Sequence, residues 1–572
     1  MSAITSRFSR FLKPIGLSLG SVACSAFSLL AGAIPAEAAE NIYFIYTPLK
    51  LPLRVESLEQ FAETGEVNKD LGFYFNLGNI SDEQKATIRD VLTKRVPLDN
   101  PLVIHRFFNS PTGELILSEL GKLIAIPWSI NGKYALRAAL VKSALDNEEG
   151  LTFLNVLRNY PTDIHVSVDQ IFKVAELINL LGVGTDQLVE EMKELSTAEA
   201  EKNPIDYSTM PDLRQTGPQA IAPQQIWELT DTSRDRSFRV LVHQPKEFLP
   251  RKTPVLVFSH GLASRPEDFV DRAKQLASYG YFVVLPQHPG SDTEQLQDLL
   301  EGYSRVLFTL DEFTDRPKDI SFVLDELERR NESEFGGRLD LNRVGVLGHS
   351  FGGYTALMIA GAEIDFDNLE DDCDRELSTP NIALLLECRA LDLPREDYQL
   401  RDERVKAIFV INPVTGTIFG PKGLAPIKVP VIMAGGSSDP ATPVVIEQLR
   451  AFVWLGSQDK HLALVKGQAH VNFSKLDASS KALLDSFEQL QLPDQTLIDQ
   501  YANAFIVAFA KYYLSEDESY LPYIQPGYAL YLSQEPNPFY VVNSSAVQPL
   551  TDFFNERKPG YRDALVPADT SE

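Results

Sequence analysis

Residues 343–362 read RVGVLGHSFGGYTALMIAGA. An aliphatic run, Val344 to Leu347, ends in the small-residue turn Gly348-His349-Ser350-Phe351-Gly352, and a second apolar stretch begins at about Gly353. The turn fits G-x-S-x-G, a pattern that carries chemical meaning between a strand and a helix, as here. Its glycines permit a tight, strained turn that lifts the Ser350 hydroxyl to the carboxyl edge of a sheet, at a helix N-terminus where negative charge is favoured. The reading is a nucleophilic serine on an α/β sheet; the bland alternative is an ordinary glycine-rich turn.

The segments on either side supply the sheet. "FRVLVHQP", "PVLVFSHG", "YFVVLPQH", "VKAIFVINP", "VPVIMAGG" and "HLALVKG" are short β-branched runs separated by helical stretches. Runs apolar on both faces and alternating with helices signal a mostly parallel sheet covered by helices on both sides. An α/β domain is expected over 225–515. Within it, the stretch 361–403 is long for a connection. Its acidic entry and apolar "IALLL" suit a lid over an acyl chain, or a surface excursion with no gating role.

A serine nucleophile needs a base, an acid to hold the base, and two N–H donors for the oxyanion. The chain has eight histidines. In this fold the order is serine, acid, histidine, which leaves His461 and His470. His461 opens a strand, where the pleat sets its ring, whereas His470 follows "LALVKGQA" in a loop and is the better base. Asp439 ends "VPVIMAGGSSD" in a polar turn, where a carboxylate holds the imidazole tautomer. One strand earlier the chain carries Asn412, and a neutral amide cannot stabilise an imidazolium in the same way. Phe351 and Leu262 are the expected oxyanion N–H donors, the latter because Gly261 lets "FSHGL" turn toward the same point. His260 is expected to brace that loop, and His288 in "PQHPGSD" either lines the pocket or braces a turn.

The set "FSHGL", "PQHPGSDT", "GHSFGGY", "GSSDPATP" and "GQAHVNF" resembles the α/β-hydrolase branch that contains platelet-activating factor acetylhydrolases and predicted dienelactone hydrolases. The resemblance covers roughly 226 to 480 and implies a serine hydrolase on the α/β-hydrolase fold. Two residues depart from the pattern: dienelactone hydrolases use a cysteine nucleophile where Ser350 stands, and Asn412 occupies the acetylhydrolase acid position. The N-terminal "YTPLKLPLRVESLEQFAETGEV" resembles a domain of unknown function often fused to such hydrolases in bacteria, which implies no activity of its own.

From 39 to 198 the pattern is helical, with a capping box at Ser81-Asp-Glu-Gln84 and an N-cap at Ser110-Pro111. An all-helical domain is expected there, followed by a Pro-rich linker at 199–224, with 516–572 as a C-terminal extension. Residues 1–38 read as an export signal, from Arg7, Arg10 and Lys13 through a small apolar stretch to "AEA" at Ala36 to Ala38; a retained anchor is the other reading. Export removes Cys24 and leaves Cys373 and Cys388, an even pair for an oxidising compartment, hence a disulfide; the alternative is two separate buried thiols.

With 79 acidic against 53 basic residues, the chain has a net charge of −26, which repels nucleic acid and anionic lipid. No cluster has metal-ligand spacing, and no metal or organic cofactor is implied. The sum is an exported, periplasmic or extracellular serine esterase acting on a small ester or lipid-like substrate through Ser350, Asp439 and His470, without a stable membrane span after signal cleavage. Phospholipid, polyester or amide hydrolysis by the same residues, or a binding module on a hydrolase fold, are the rival readings.

Overall fold

Val255 to Phe258, Phe282 to Leu285 and Val344 to Leu347 are buried on both faces with only Gly345 interrupting, which is what a central parallel sheet demands of its strands. The computed structural model describes residues 38–46, 48–96, 100–248, 252–374, 381–470 and 493–565. The expected export signal, including Cys24, lies outside the described residues except for Ala38, as does the end of "GQAHVNF" after His470.

The chain divides into two compact units, 1–95 with 124–166, and 96–123 with 167–572. In the second, nine strands form one sheet: β5 (Gln225–Asp231), β6 (Arg236–His243), β7 (Thr253–Ser259), β8 (Phe282–Pro286), β9 (Leu339–His349), β10 (Val405–Ile411), β11 (Val431–Gly436), β12 (Lys460–Val465) and β13 (Phe539–Asn543). Their order is β13-β12-β11-β10-β9-β7-β8-β6-β5. The six strands from β12 to β8 are parallel, and β6, β5 and β13 run antiparallel to their neighbours at the edges. This is the expected α/β-hydrolase fold.

Two hydrophobic clusters cover the sheet. One gathers the helix Glu312–Phe335, the helix Phe351–Ile359 and, from the helix Val168–Lys202, Leu188, Val189 and Met192. The other centres on the helix Gln495–Phe509, Leu276 and Tyr528. Of residues 199–224, read from sequence as a linker, the first four end the helix Val168–Lys202 and the rest are anchored along this unit: Leu213 is buried, and the Tyr207 hydroxyl donates to the Pro522 carbonyl at 3.1 Å.

The first unit corrects the all-helical expectation. It holds a four-stranded sheet in the order β2-β1-β4-β3, made of β1 (Asn41–Tyr46), β2 (Leu49–Arg54), β3 (Ile124–Ala125) and β4 (Ile164–Ser167). The signal for β1 was present: "NIYFIY" is built of β-branched and aromatic residues, which suit a pleated surface. β3 has two residues and β4 four, too short for any periodicity, and they exist because they pair with one another. The helix signals were sound. Ser81 and Gln84 form the reciprocal capping box, Gly65 ends its helix at φ 78°, and Ser110 Oγ accepts from Gly113 N at 3.1 Å.

Candidate active site

The turn at the end of β9 is strained where the sequence placed its nucleophile: Ser350 has φ 55° and ψ −118°. A non-glycine residue there costs on the order of 1–3 kcal/mol and persists only when its surroundings enforce it. Those surroundings are close-packed backbone. A Cβ on Gly348 would sit 2.0 Å from the Gly352 carbonyl oxygen, and one on Gly352 would sit 2.0 Å from the Ser259 carbonyl oxygen. The Ser350 N–H donates to Ile411 O at 3.0 Å, which ties the turn to the end of β10.

Asp439, in the turn after β11, and His470, in the loop after β12, are brought together. His470 Nδ1 lies 2.8 Å from Asp439 Oδ2, so Nδ1–H donates and Nε2 is left as the basic nitrogen. The carboxylate is itself held: Oδ1 accepts from the N–H groups of Ala441 (2.8 Å) and Thr442 (3.0 Å), and Oδ2 from the Thr442 hydroxyl (2.8 Å). The His470 backbone is fastened to the residue before Ser350. Its carbonyl accepts from His349 Nε2 at 2.8 Å and from Asn412 Nδ2 at 3.4 Å, and the His349 and His470 rings lie 4.9 Å apart. Burial first, and then the neighbouring His470, push His349 down to about 4, so it is neutral at neutral pH.

His349 and Asn412 are contributions that sequence reasoning missed. Asn412 was weighed only as a failed acid, whereas it adopts a left-handed φ of 43° and spans from β10 to the carbonyls of Ala469 and His470. No local pattern announces such a role, because both partners are more than fifty residues away.

The N–H of Phe351 opens the helix Phe351–Ile359, and the N–H of Leu262 follows the Gly261 turn at the end of β7. Among the described residues neither donates a hydrogen bond within the protein. Gly261 approaches Ser350 closely, a Cβ there lying 3.3 Å from the Ser350 Cβ. His260 braces this loop: its Nε2 accepts from His288 N at 3.1 Å, so its Nδ1–H donates to Gly261 O at 2.8 Å. His288 is fully buried, between Ser259 Oγ at 2.9 Å and Asp319 Oδ2 at 3.0 Å. His461 is buried within β12, between β11 and β13.

The insertion also reaches this edge. Cys373 and Cys388 are joined in a disulfide. The segment leading into the short helix Leu384–Glu387 is fastened to the Asp439 turn by Ala383 N donating to Ala441 O at 2.8 Å. Among the described residues no group of three or more His, Cys, Asp or Glu is placed to hold a metal ion, and no helix is long and apolar enough to cross a membrane.

A family model described as an alpha/beta hydrolase of unknown function (DUF1400) matches residues 38–168. The match spans β1 to β4 and stops short of the nine-stranded sheet. No curated protein matches the chain. Family match and fold together support a hydrolase; neither bears on the acetylhydrolase or dienelactone hydrolase branch that the motifs resemble.

Proposed function

We propose that the protein is an exported serine hydrolase that cleaves carboxylic esters through an acyl-enzyme on Ser350. The observation that carries this is the 2.8 Å hydrogen bond between His470 and Asp439 beside a strained serine turn with two unengaged N–H groups. In this reading Ser350 Oγ attacks the ester carbonyl while His470 Nε2 takes its proton, and Leu262 and Phe351 N–H groups hold the oxyanion. His470 then gives that proton to the departing alkoxide. Water, deprotonated by the same nitrogen, releases the acid, and Asp439 stabilises the imidazolium at each stage.

The disulfide, in a chain with an export-type N-terminus, supports a periplasmic or extracellular location. Two helices from early in the chain pack against elements of the hydrolase unit. Leu102–Phe108 packs on the helix Thr293–Glu301, and Pro111–Leu123 packs on Leu384–Glu387 beside the acid loop.

The test is labelling with a fluorophosphonate probe, lost in Ser350→Ala, together with turnover of p-nitrophenyl esters of increasing length. Retained labelling in Ser350→Ala, or no turnover of any ester, defeats the proposal, and the second outcome leaves amide hydrolysis or a binding module as the reading.

A further inference from the structure

Arg316 is a buried cation whose hydrogen bonds go to neutral acceptors. It stands on the helix Glu312–Phe335, one turn after Glu312 and one before Asp319, and all three side chains are fully buried. The two acids are engaged elsewhere. Asp319 accepts from Arg234 Nη2 (2.9 Å), Arg236 Nε (2.8 Å) and His288 Nδ1 (3.0 Å), whereas Glu312 lies 2.9 Å from Arg236 and accepts from the Ser291 hydroxyl at 2.5 Å. Among the described residues no carboxylate forms an ion pair with Arg316. Its Nε donates to Thr355 Oγ1 at 3.0 Å and its Nη1 to Ser291 Oγ at 2.6 Å, and its Nη2 donates to the His260 carbonyl and to Ser259 Oγ at 3.4 Å. Burial lowers its pKa to about 10, which leaves it protonated at neutral pH.

Glu312 and Asp319 offset part of the cost of burying this charge, but the groups it touches directly are hydroxyls and a carbonyl, and those contacts set what it can position. The contacts of Arg316 converge on the backbone that carries the Leu262 and Phe351 N–H groups, beside Ser350. On one side it holds the carbonyl of His260, two residues before Leu262. Ala263, one residue after Leu262 and at a left-handed φ of 54°, donates its N–H to the carbonyl of Ser291, whose hydroxyl Arg316 also holds. The Leu262 amide is thereby fixed from both ends. On the other side, the guanidinium lies 4.6 Å from the Phe351 ring centroid, and Thr355, which takes the Nε–H, donates its own hydroxyl to the Phe351 carbonyl at 2.9 Å.

We propose that Arg316 is the positioning residue of the oxyanion hole, setting the spacing of the Leu262 and Phe351 N–H groups and placing a positive charge behind them. This rests on the ester-hydrolase reading above. Donors act on a developing oxyanion only when they stand where it forms, and a misplacement of about 1 Å costs on the order of a hundredfold in rate.

The experiment compares the full chain with Arg316→Met, Arg316→Lys and the milder Thr355→Val. Active serine is first counted by fluorophosphonate labelling taken to completion, and assays run well below each melting transition. For Arg316→Met, kcat on a short p-nitrophenyl ester falls roughly ten- to a hundredfold with KM within about twofold, and inhibition by a trifluoromethyl ketone, a tetrahedral mimic, weakens in proportion. Arg316→Lys recovers part of both losses, and Thr355→Val shows a smaller loss of the same kind. If Arg316→Met does not fold, the other two carry the test. Lowered melting temperature with kcat and ketone affinity unchanged in the folded variants makes Arg316 a structural residue only and overturns this proposal alone. Absence of ester turnover by the unmodified chain overturns the ester-hydrolase reading, and this one with it.

Discussion

Asp439 shows how one side chain is prepared for its place: three hydrogen bonds, two of them from backbone N–H groups, hold the carboxylate that pairs with His470 Nδ1. The members of such a set are not equivalent, because a neutral Asn still orients the ring whereas loss of the ring removes the base. Asp439→Asn should therefore retain roughly tenfold or more activity over His470→Ala, measured as kcat/KM on one ester; full activity in Asp439→Asn would place the acid elsewhere. His243, on β6, carries a different prediction. Its Nε2 is buried without a partner among the described residues, and burial pushes the ring down to about 4 from 6.5. The folded state keeps it neutral where the unfolded chain takes up a proton, so its contribution is fully present above pH 6.5 and is lost as pH falls toward 4. His243→Leu, compared with the parent at pH 7.5 and pH 5, should gain relative stability at the lower pH by about 1 kcal/mol once partial screening of the ring is allowed for. Thermal unfolding at both pH values checks this, and an unchanged difference would mean that the ring titrates alike in both states.

At the scale of elements, the insertion is held by a disulfide at Cys373 and Cys388 and by Glu387. Cys373 closes the helix Phe366–Asp374 onto Cys388, and Glu387, the neighbour of Cys388, accepts from the N–H groups of Thr417 (3.2 Å) and Ile418 (3.0 Å) at the start of the helix Gly416–Leu424. Burial, and then Glu447, push Glu387 well above the usual carboxylate range. With a sequence separation of 15, the cross-link removes about 3 kcal/mol of chain entropy from the unfolded state in the loop-closure model. Oxidised protein freed of residues 1–38 should thus show no titratable thiol in denaturant, and reduction should lower its melting temperature. Two thiols in unreduced material would contradict this.

At the scale of the molecule, the helix Val168–Lys202 decides where the chain can be cut. Leu188, Val189 and Met192 sit in the core of the nine-stranded unit at 0%, 3% and 0% exposure. Burying three such side chains is worth roughly 5–8 kcal/mol, comparable with the whole stability of an ordinary domain. A fragment beginning at residue 200, the cut that a linker at 199–224 would suggest, should fail to reach a native near-ultraviolet circular dichroism spectrum, and a cooperative, native-like fragment would show the helix to be dispensable. What the sequence by itself determined was local. The G-x-S-x-G turn, the alternation of buried strands with helices, and the helix caps rest on residues within a few positions of one another, and so they announced the α/β sheet and Ser350. The meeting of Asp439 with His470, the conversion of Asn412 from a failed acid to a clamp on the His470 loop, the pairing of β3 with β4, and the convergence of Arg316 on the backbone around Leu262 and Phe351 were decided only in the tertiary structure. Each joins chain segments tens to more than a hundred residues apart, and whether a side chain there is base, brace or buried charge depends on what the fold sets against it.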